Sequence, residues 1–250
     1  MRRVALVTGV SRRAGIGAAI ARRLAADGVD LFLSSWAQHD AEQPWGPDEG
    51  GVDALLAELR TTGARVEHAA VDLADPAAPA GLVAAAQQAY GAVHVLVANH
   101  ARSSAEDLEH LTATELDLSY AVNVRATLLL VQAWAVQDVP DGRVVLLTSG
   151  QHRGPMPGEL PYVASKGALQ QVTASLAAHL APRGTTVNVV DPGATETGWA
   201  DDAMRRQVLA EQPSGRWGQP EDAARLIAWL VSDEGRWVTG QTITSSGGGP

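Results

Sequence analysis

The sequence predicts an α/β fold: one doubly wound domain over residues 1–250, with a mostly parallel sheet of seven strands and helices on both faces. Three observations carry that expectation. Short apolar runs alternate with helical stretches of roughly 10–15 residues along the chain, the pattern of repeated strand–helix–strand crossovers. The strand candidates are continuous runs of Val, Leu and Ala, as expected when both faces of a parallel sheet are covered. The chain has 250 residues, 46% of them hydrophobic, which is enough for one full core.

The elements follow in order. Residues 4–7 (VALV) are a buried strand, and 18–26 a helix of small and apolar residues ending near Gly28. Residues 31–33 are the second strand. Residues 36–50 (WAQHDAEQPWGPDEG) are polar and turn-rich, a long loop carrying Trp36 and Trp45. A helix at 52–60, a strand at 65–71, a helix at 82–90 and a strand at 93–98 continue the alternation. Residues 115–136 read as one long helix, 143–148 as a strand, 162–180 as a helix and 187–190 as a strand. A mixed polar segment runs to about 219, including a substrate-side stretch at about 194–214; a helix at 221–231 and a short strand at 241–244 follow.

Composition narrows the function. The chain has no cysteine, so disulfides, thiolate nucleophiles and thiolate metal sites are excluded, and a cytoplasmic enzyme is the expectation. The seven histidines are scattered without metal-ligand spacing, so no metal site is expected. A net charge of −9 argues against general nucleic-acid binding, and no apolar run is long enough for a membrane span. The N-terminus runs directly into strand and glycine-loop signals and reads as mature protein, not as a signal peptide. Six arginines nevertheless fall in pairs within the first 23 residues, which allows a local anion site on an acidic protein.

The loop after the first strand reads TGVSRRAGIG at 8–17. Gly9 permits a sharp turn, Gly15 lets backbone approach a pyrophosphate, and Gly17 lets the helix pack closely. Ser11 and Ile16 lie in the same loop, where helix N–H groups favour an anion. The bland alternative is a turn whose glycines serve packing alone. NAD-binding folds place an acid at the end of the second strand; here that strand ends in Ser34-Ser35-Trp36. Arg12 or Arg13 is placed to meet a 2′-phosphate and Ser35 to add a hydroxyl, which favours NADPH/NADP+ over NADH/NAD+. Two solvent-facing arginines are the competing reading.

Ser149, Tyr162 and Lys166 form the second constellation. Ser149 lies just beyond a buried strand, while Tyr162 and Lys166 stand i and i+4 on one helix face. A free tyrosine titrates near pH 10, and an ammonium one turn away favours its phenolate. Ser149 is placed to donate to a substrate oxygen.

These pieces, in this order, resemble the short-chain dehydrogenase/reductase family over nearly the whole chain. The resemblance rests on TGVSRRAGIG at 8–17, VDL at 71–73, LVANHA at 96–101, Asn123 in AVNVRA and TSG at 148–150. It continues through YVASK at 162–166, DPGATET at 191–197, RWGQPEDAA at 216–224 and VTGQ at 238–241. It implies a Rossmann-type catalytic domain and reduction of a ketone or aldehyde with NADPH. Tyr162 would be the proton donor, Lys166 the residue that binds the nicotinamide ribose and tunes the tyrosine, Ser149 the carbonyl-orienting group, and Asn123 the support of a proton relay. Asp72 and Leu73 would meet adenine; Asn99, His100 and Ala101 would border the cofactor; Pro192, Gly193 and Thr195 would lie beside the nicotinamide. The resemblance to 3-oxoacyl-carrier-protein reductases admits a small-molecule or carrier-linked carbonyl or alcohol, and the family's habit implies a homotetramer, with a dimer as second choice.

Three departures from the family pattern stand out. The glycine loop is two residues longer than usual, the customary N-N-A-G is A-N-H-A at 98–101, and the 36–50 loop is extended. Alternatives remain at this point: an NAD-dependent alcohol or sugar dehydrogenase, or a non-catalytic nucleotide-binding subunit of the same fold. An enoyl reductase ranks below these, because its tyrosine and lysine are usually farther apart.

Overall fold

A computed structural model describes residues 2–43, 45–48, 50–137 and 139–249. Seven strands form one parallel sheet: β1 (Val4–Val7), β2 (Asp30–Ser35), β3 (Val66–Ala70), β4 (Val95–Ala98), β5 (Arg143–Leu147), β6 (Thr186–Asp191) and β7 (Thr242–Thr244). Their order is β3-β2-β1-β4-β5-β6-β7, and every pairing is parallel. This is the doubly wound Rossmann-type domain that the alternation predicts.

The strand period sorts the core into two layers. Ala5, Val7, Leu31, Leu33, Val95, Val97, Val145 and Leu147 face α1 (Ile16–Ala26), α3 (Gly51–Arg60) and α9 (Pro220–Val231). Val4, Leu6, Phe32, Leu96, Val144, Leu146, Val187 and Val189 face α4 (Ala78–Tyr90), α6 (Ala126–Val136) and α7 (Leu160–Leu180). Successive side chains of a strand point to opposite faces, so continuous apolar runs supply both layers. β1 has β2 on one side and β4 on the other; the direction in which successive strands are added reverses there, and the connections leaving the two strand ends diverge into a crevice.

Three stretches differ from the sequence expectation. The 115–136 helix is interrupted: α5 (Ala113–Ser119) passes through a π-turn at Tyr120–Arg125 before α6. The 36–50 loop holds a short helix, α2 (Ala37–Ala41); its Pro44 and Glu49 lie outside the described residues. The polar segment before 219 contains α8 (Asp202–Glu211), capped by the Asp201 carboxylate, which accepts from the Met204 amide at 2.8 Å. That helix buries no side chain, so its hydrophobic pattern was silent.

Candidate active site

A cavity of about 420 Å³ opens at the crevice between the ends of β1 and β4. The glycine loop forms one wall. At Gly9 (φ +70°) a Cβ would stand 2.6 Å from the His100 Cα, and at Gly17 it would stand 2.5 Å from the Gly9 carbonyl oxygen. Neither position admits a side chain, so the start of α1 is drawn to the cavity wall with its unpaired N–H groups. Asn99 fixes this loop: its Nδ2 donates to the Thr8 and Gly9 carbonyls at 3.1 and 2.9 Å. The glycines therefore serve packing, and in doing so they present the helix terminus.

Of the residues singled out from sequence, Gly9, Ser11, Arg12, Gly15, Ile16, Gly17, Ser35, Asp72, Leu73, Asn99, His100, Ala101, Tyr162, Lys166 and Pro192 line the cavity. Arg13, Asn123, Ser149, Gly193 and Thr195 stand outside its lining. Arg13 corrects the pairing of the two loop arginines. Its guanidinium grips the Asp48 carboxylate through Nε and Nη2 at 3.0 and 3.1 Å and faces the flank of the 36–50 loop. Arg12 points inward: Nη2 donates to the Thr197 carbonyl at 2.6 Å, and the guanidinium lies 5.4 Å from the Trp45 ring centroid. Gly193 and Thr195 are occupied structurally. A Cβ on Gly193 would meet Ser246 at 2.8 Å, and the Thr195 hydroxyl donates to the carbonyls of Pro192 and Gly193.

At the far end of the cavity the Tyr162 hydroxyl pairs with the half-buried Ser149. Lys166, from the next turn of α7, is 2% exposed; its Nζ donates to the Leu147 carbonyl at 3.0 Å and lies 5.6 Å from the Tyr162 ring centroid. The expected lowering of the tyrosine is reversed in the folded protein. Burial pushes Tyr162 up to about 12, the Ser149 hydrogen bond opposes this, and the charges of Glu159 and Asp191 add to it. Burial likewise draws Lys166 down to about 8. Desolvation penalises both charged forms, so the phenol is held as an acid.

Asn123 sits in the π-turn, fully buried. Its Oδ1 accepts from the Arg102 amide at 2.7 Å, while Nδ2 donates to the Arg102 carbonyl and to the Ser165 hydroxyl at 3.0 and 2.9 Å. Ser165 in turn donates to the Tyr162 carbonyl at 2.8 Å. The side chain thus ties the loop after β4 to α7 and does not reach into the cavity. Asp191, at the end of β6, is fully buried; it accepts from Arg153 Nε at 2.7 Å and from the Gly193 amide at 2.9 Å, bracing the turn beyond Ser149.

Sequence reasoning missed several wall residues. Arg102 follows A-N-H-A directly and is gripped by Glu115, to which its Nε and Nη2 each donate at 2.8 Å. His39 enters from α2, and Thr197 supplies the carbonyl that Arg12 meets. Only Arg102 carried a signal, its adjacency to the motif. Trp199, within the substrate-side stretch at about 194–214, donates from its indole to the Thr195 carbonyl and packs 6.0 Å from Trp217. Among the described residues no cluster of His, Cys, Asp and Glu is arranged to hold a metal ion, and no helix is long and apolar enough to cross a membrane.

A parallel sheet with a helix terminus at its topological switch point, facing a Ser–Tyr–Lys set, defines the class of dinucleotide-dependent oxidoreductases. Comparison with known proteins narrows this further. Residues 9–249 match the family model described as enoyl-(acyl carrier protein) reductase. An uncharacterized oxidoreductase of Bacillus subtilis, YjdA, is 39% identical over 250 residues, covering 98% of this chain and 96% of its own. A short-chain dehydrogenase from Burkholderia cenocepacia, solved with NADP, is 37% identical with a TM-score of 0.88, covering 99% of this chain and 97% of that one. A blue fluorescent protein from a metagenomic library, solved with NADPH, is 35% identical with a TM-score of 0.88, covering 98% and 97%. The chain belongs to the short-chain dehydrogenase/reductase family, NAD(P)H-dependent oxidoreductases that interconvert carbonyls and alcohols by hydride transfer.

Proposed function

We propose that the protein reduces a ketone or aldehyde with NADPH, Tyr162 giving the proton to the carbonyl oxygen. The observation that carries this reading is the Ser149–Tyr162 pair with Lys166 one helical turn on, at the opposite end of one cavity from the glycine loop. The residues present fit a dinucleotide: the glycine cradle bares the start of α1 to the cavity, Ser35 ends β2 where NAD-binding folds place an acid, and Arg12 lines the same cavity. A bound nicotinamide would supply the hydride. Ser149 orients the carbonyl and stabilises the negative charge developing on its oxygen, and Tyr162, held protonated by burial, donates the proton. Lys166, whose Nζ donates to the Leu147 carbonyl, would hold the nicotinamide ribose through its hydroxyls, and Asn123 would support the proton relay. The solved relatives carrying NADP and NADPH support the cofactor assignment. So does the Ser35 hydroxyl, 2.8 Å from His68 Nε2 and without an acid beside it at the strand end.

The remaining parts of the reading concern substrate, assembly and location. The four-residue step from Tyr162 to Lys166 favours carbonyl over enoyl reduction, and the substrate is a small or carrier-linked carbonyl compound. The exposed Trp229 and Trp237 near the C-terminus, with Tyr120 and Val136 at the two ends of the π-turn–α6 stretch, are apolar side chains that a homotetramer would cover. The cysteine-free chain suits the cytoplasm.

The test is a fluorescence titration with NADPH and with NADH, followed by a screen of ketones, aldehydes and enones under reducing conditions. Tighter NADPH binding with ketone or aldehyde turnover is expected. NADH preference, or turnover of enones alone, overturns the assignment.

A further inference from the structure

We infer that His100 is a positioning residue for the Tyr162–Lys166 chemistry, a buried tie holding the π-turn of Asn123 against the end of β1, and not a ligand of the cofactor. The inference rests on the carbonyl-reductase reading above. His100 replaces the alanine of the customary motif and is 7% exposed. It borders the cavity, but both ring nitrogens turn into the protein. Nε2 lies 3.0 Å from the Val122 carbonyl, and Nδ1 lies 2.7 Å from the Thr8 hydroxyl. A carbonyl only accepts, so Nε2 carries the hydrogen and Nδ1 accepts from Thr8. The Thr8 oxygen is oriented for this, because it receives the amides of Asn99 and His100 at 3.1 and 3.3 Å.

The imidazole reaches the catalytic helix through a short chain of bonds. Val122 and Asn123 are neighbours in the π-turn, where an ordinary α-helical ladder is broken and carbonyls need other donors. Thr127 Oγ1 stands 3.3 Å from His100 Nε2 and donates to the Asn123 carbonyl at 2.8 Å. From Asn123 the connection runs through Ser165 to the Tyr162 carbonyl. His100 therefore sets the height of the π-turn relative to β1, and the π-turn sets Tyr162 and Lys166. Burial, with the Lys166 charge nearby, draws the imidazole down to about 3, so it stays neutral and keeps one acceptor nitrogen.

The experiment compares His100→Ala and His100→Gln with the wild-type enzyme and with Tyr162→Phe. It reads kcat, KM for the carbonyl, cofactor Kd, thermal melting, and the isotope effect with nicotinamide deuterated at the transferred position. His100→Ala is expected to lower kcat roughly 10- to 100-fold while cofactor Kd stays within about threefold, with a larger isotope effect as misplacement slows hydride transfer. Gln offers an amide N–H to Val122 and an oxygen to Thr8, and is expected to recover most of kcat. Unchanged kcat in His100→Ala overturns the inference, as does a loss of cofactor affinity in step with kcat. If His100→Ala does not fold, His100→Gln decides: near-normal kcat supports the tie, and a large loss at normal melting temperature refutes it. Full turnover by Tyr162→Phe would instead overturn the underlying reading, whatever His100 does.

Discussion

At the Tyr162 end of the cavity, polar side chains are buried and hydrogen-bonded to elements other than their own. Asn123 joins three groups, Lys166 caps a strand carbonyl, and His100 spans β1 and the π-turn. At the Arg12 end the groups are cations on loops. Arg13 is an ion-paired, half-exposed side chain, and Arg12 leans on Trp45 and a single carbonyl. A buried polar group left unpartnered costs about 1–3 kcal/mol, so the first region has one arrangement available. An exposed ion pair is worth about 0–1 kcal/mol, so the second can rearrange around an incoming anion at little cost. Chemistry that tolerates no misplacement is built into the first region, and cofactor discrimination into the second.

Four variants test that contrast. Tyr162→Phe removes the acid and keeps the ring, and is expected to lower kcat by roughly 10²- to 10⁴-fold with cofactor Kd nearly unchanged. Steady-state kinetics with normal kcat would remove the tyrosine from its role. Lys166→Met probes the same region through stability. Folded Lys166 gives up its proton near pH 8, while in the unfolded chain it holds it to about 10.5. Between those values the unfolded state binds more protons, so this group makes folding stability rise with pH. Melting curves from about pH 8 to about pH 10 should show that rise in the wild type and a flatter response in Lys166→Met. Equal slopes would mean that the lysine is not desolvated.

At the loop end, Arg12→Ala should weaken NADPH binding about 10-fold or more, by loss of a charged hydrogen bond, and leave NADH nearly untouched. A matching loss for both cofactors, seen by titration, would show that Arg12 does not read the 2′-phosphate. Arg13→Ala is the smallest effect, less than about threefold on either cofactor, because its partner is Asp48 on the surface. An Arg13 effect equal to that of Arg12 would erase the distinction between the two arginines.

What was legible in the sequence divides along the same line. Strand alternation, the glycine loop and the i, i+4 relation of Tyr162 and Lys166 are local patterns, and the fold follows from them directly. The inward turn of His100 was not legible, because it depends on a π-turn that looks like ordinary helix in sequence. Arg12 and Arg13 are adjacent and chemically identical. Only the placement of Asp48 and Thr197, 35 and 185 residues away, separates them. The reversed shift of Tyr162 was hidden for a related reason: spacing shows that a lysine is near, but the depth at which both groups are buried is a property of the packed chain.

The π-turn at Tyr120–Arg125 places one helix under two masters. Upstream, α5 presents Glu115 to Arg102; downstream, α6 lays Leu130, Val131 and Trp134 into the core layer below β4 and β5. Each residue of a helix advances it by about 100°. Deleting one residue between 120 and 125 would convert the π-turn to regular α-helix and rotate one half against the other by about that angle. Either the core face of α6 or the bridge from Asn123 to Arg102 and Ser165 would then point the wrong way. The extra residue acts as a fixed phase shift between the part of the helix that packs and the part that serves the site, and length changes in this segment should be far less tolerated than substitutions.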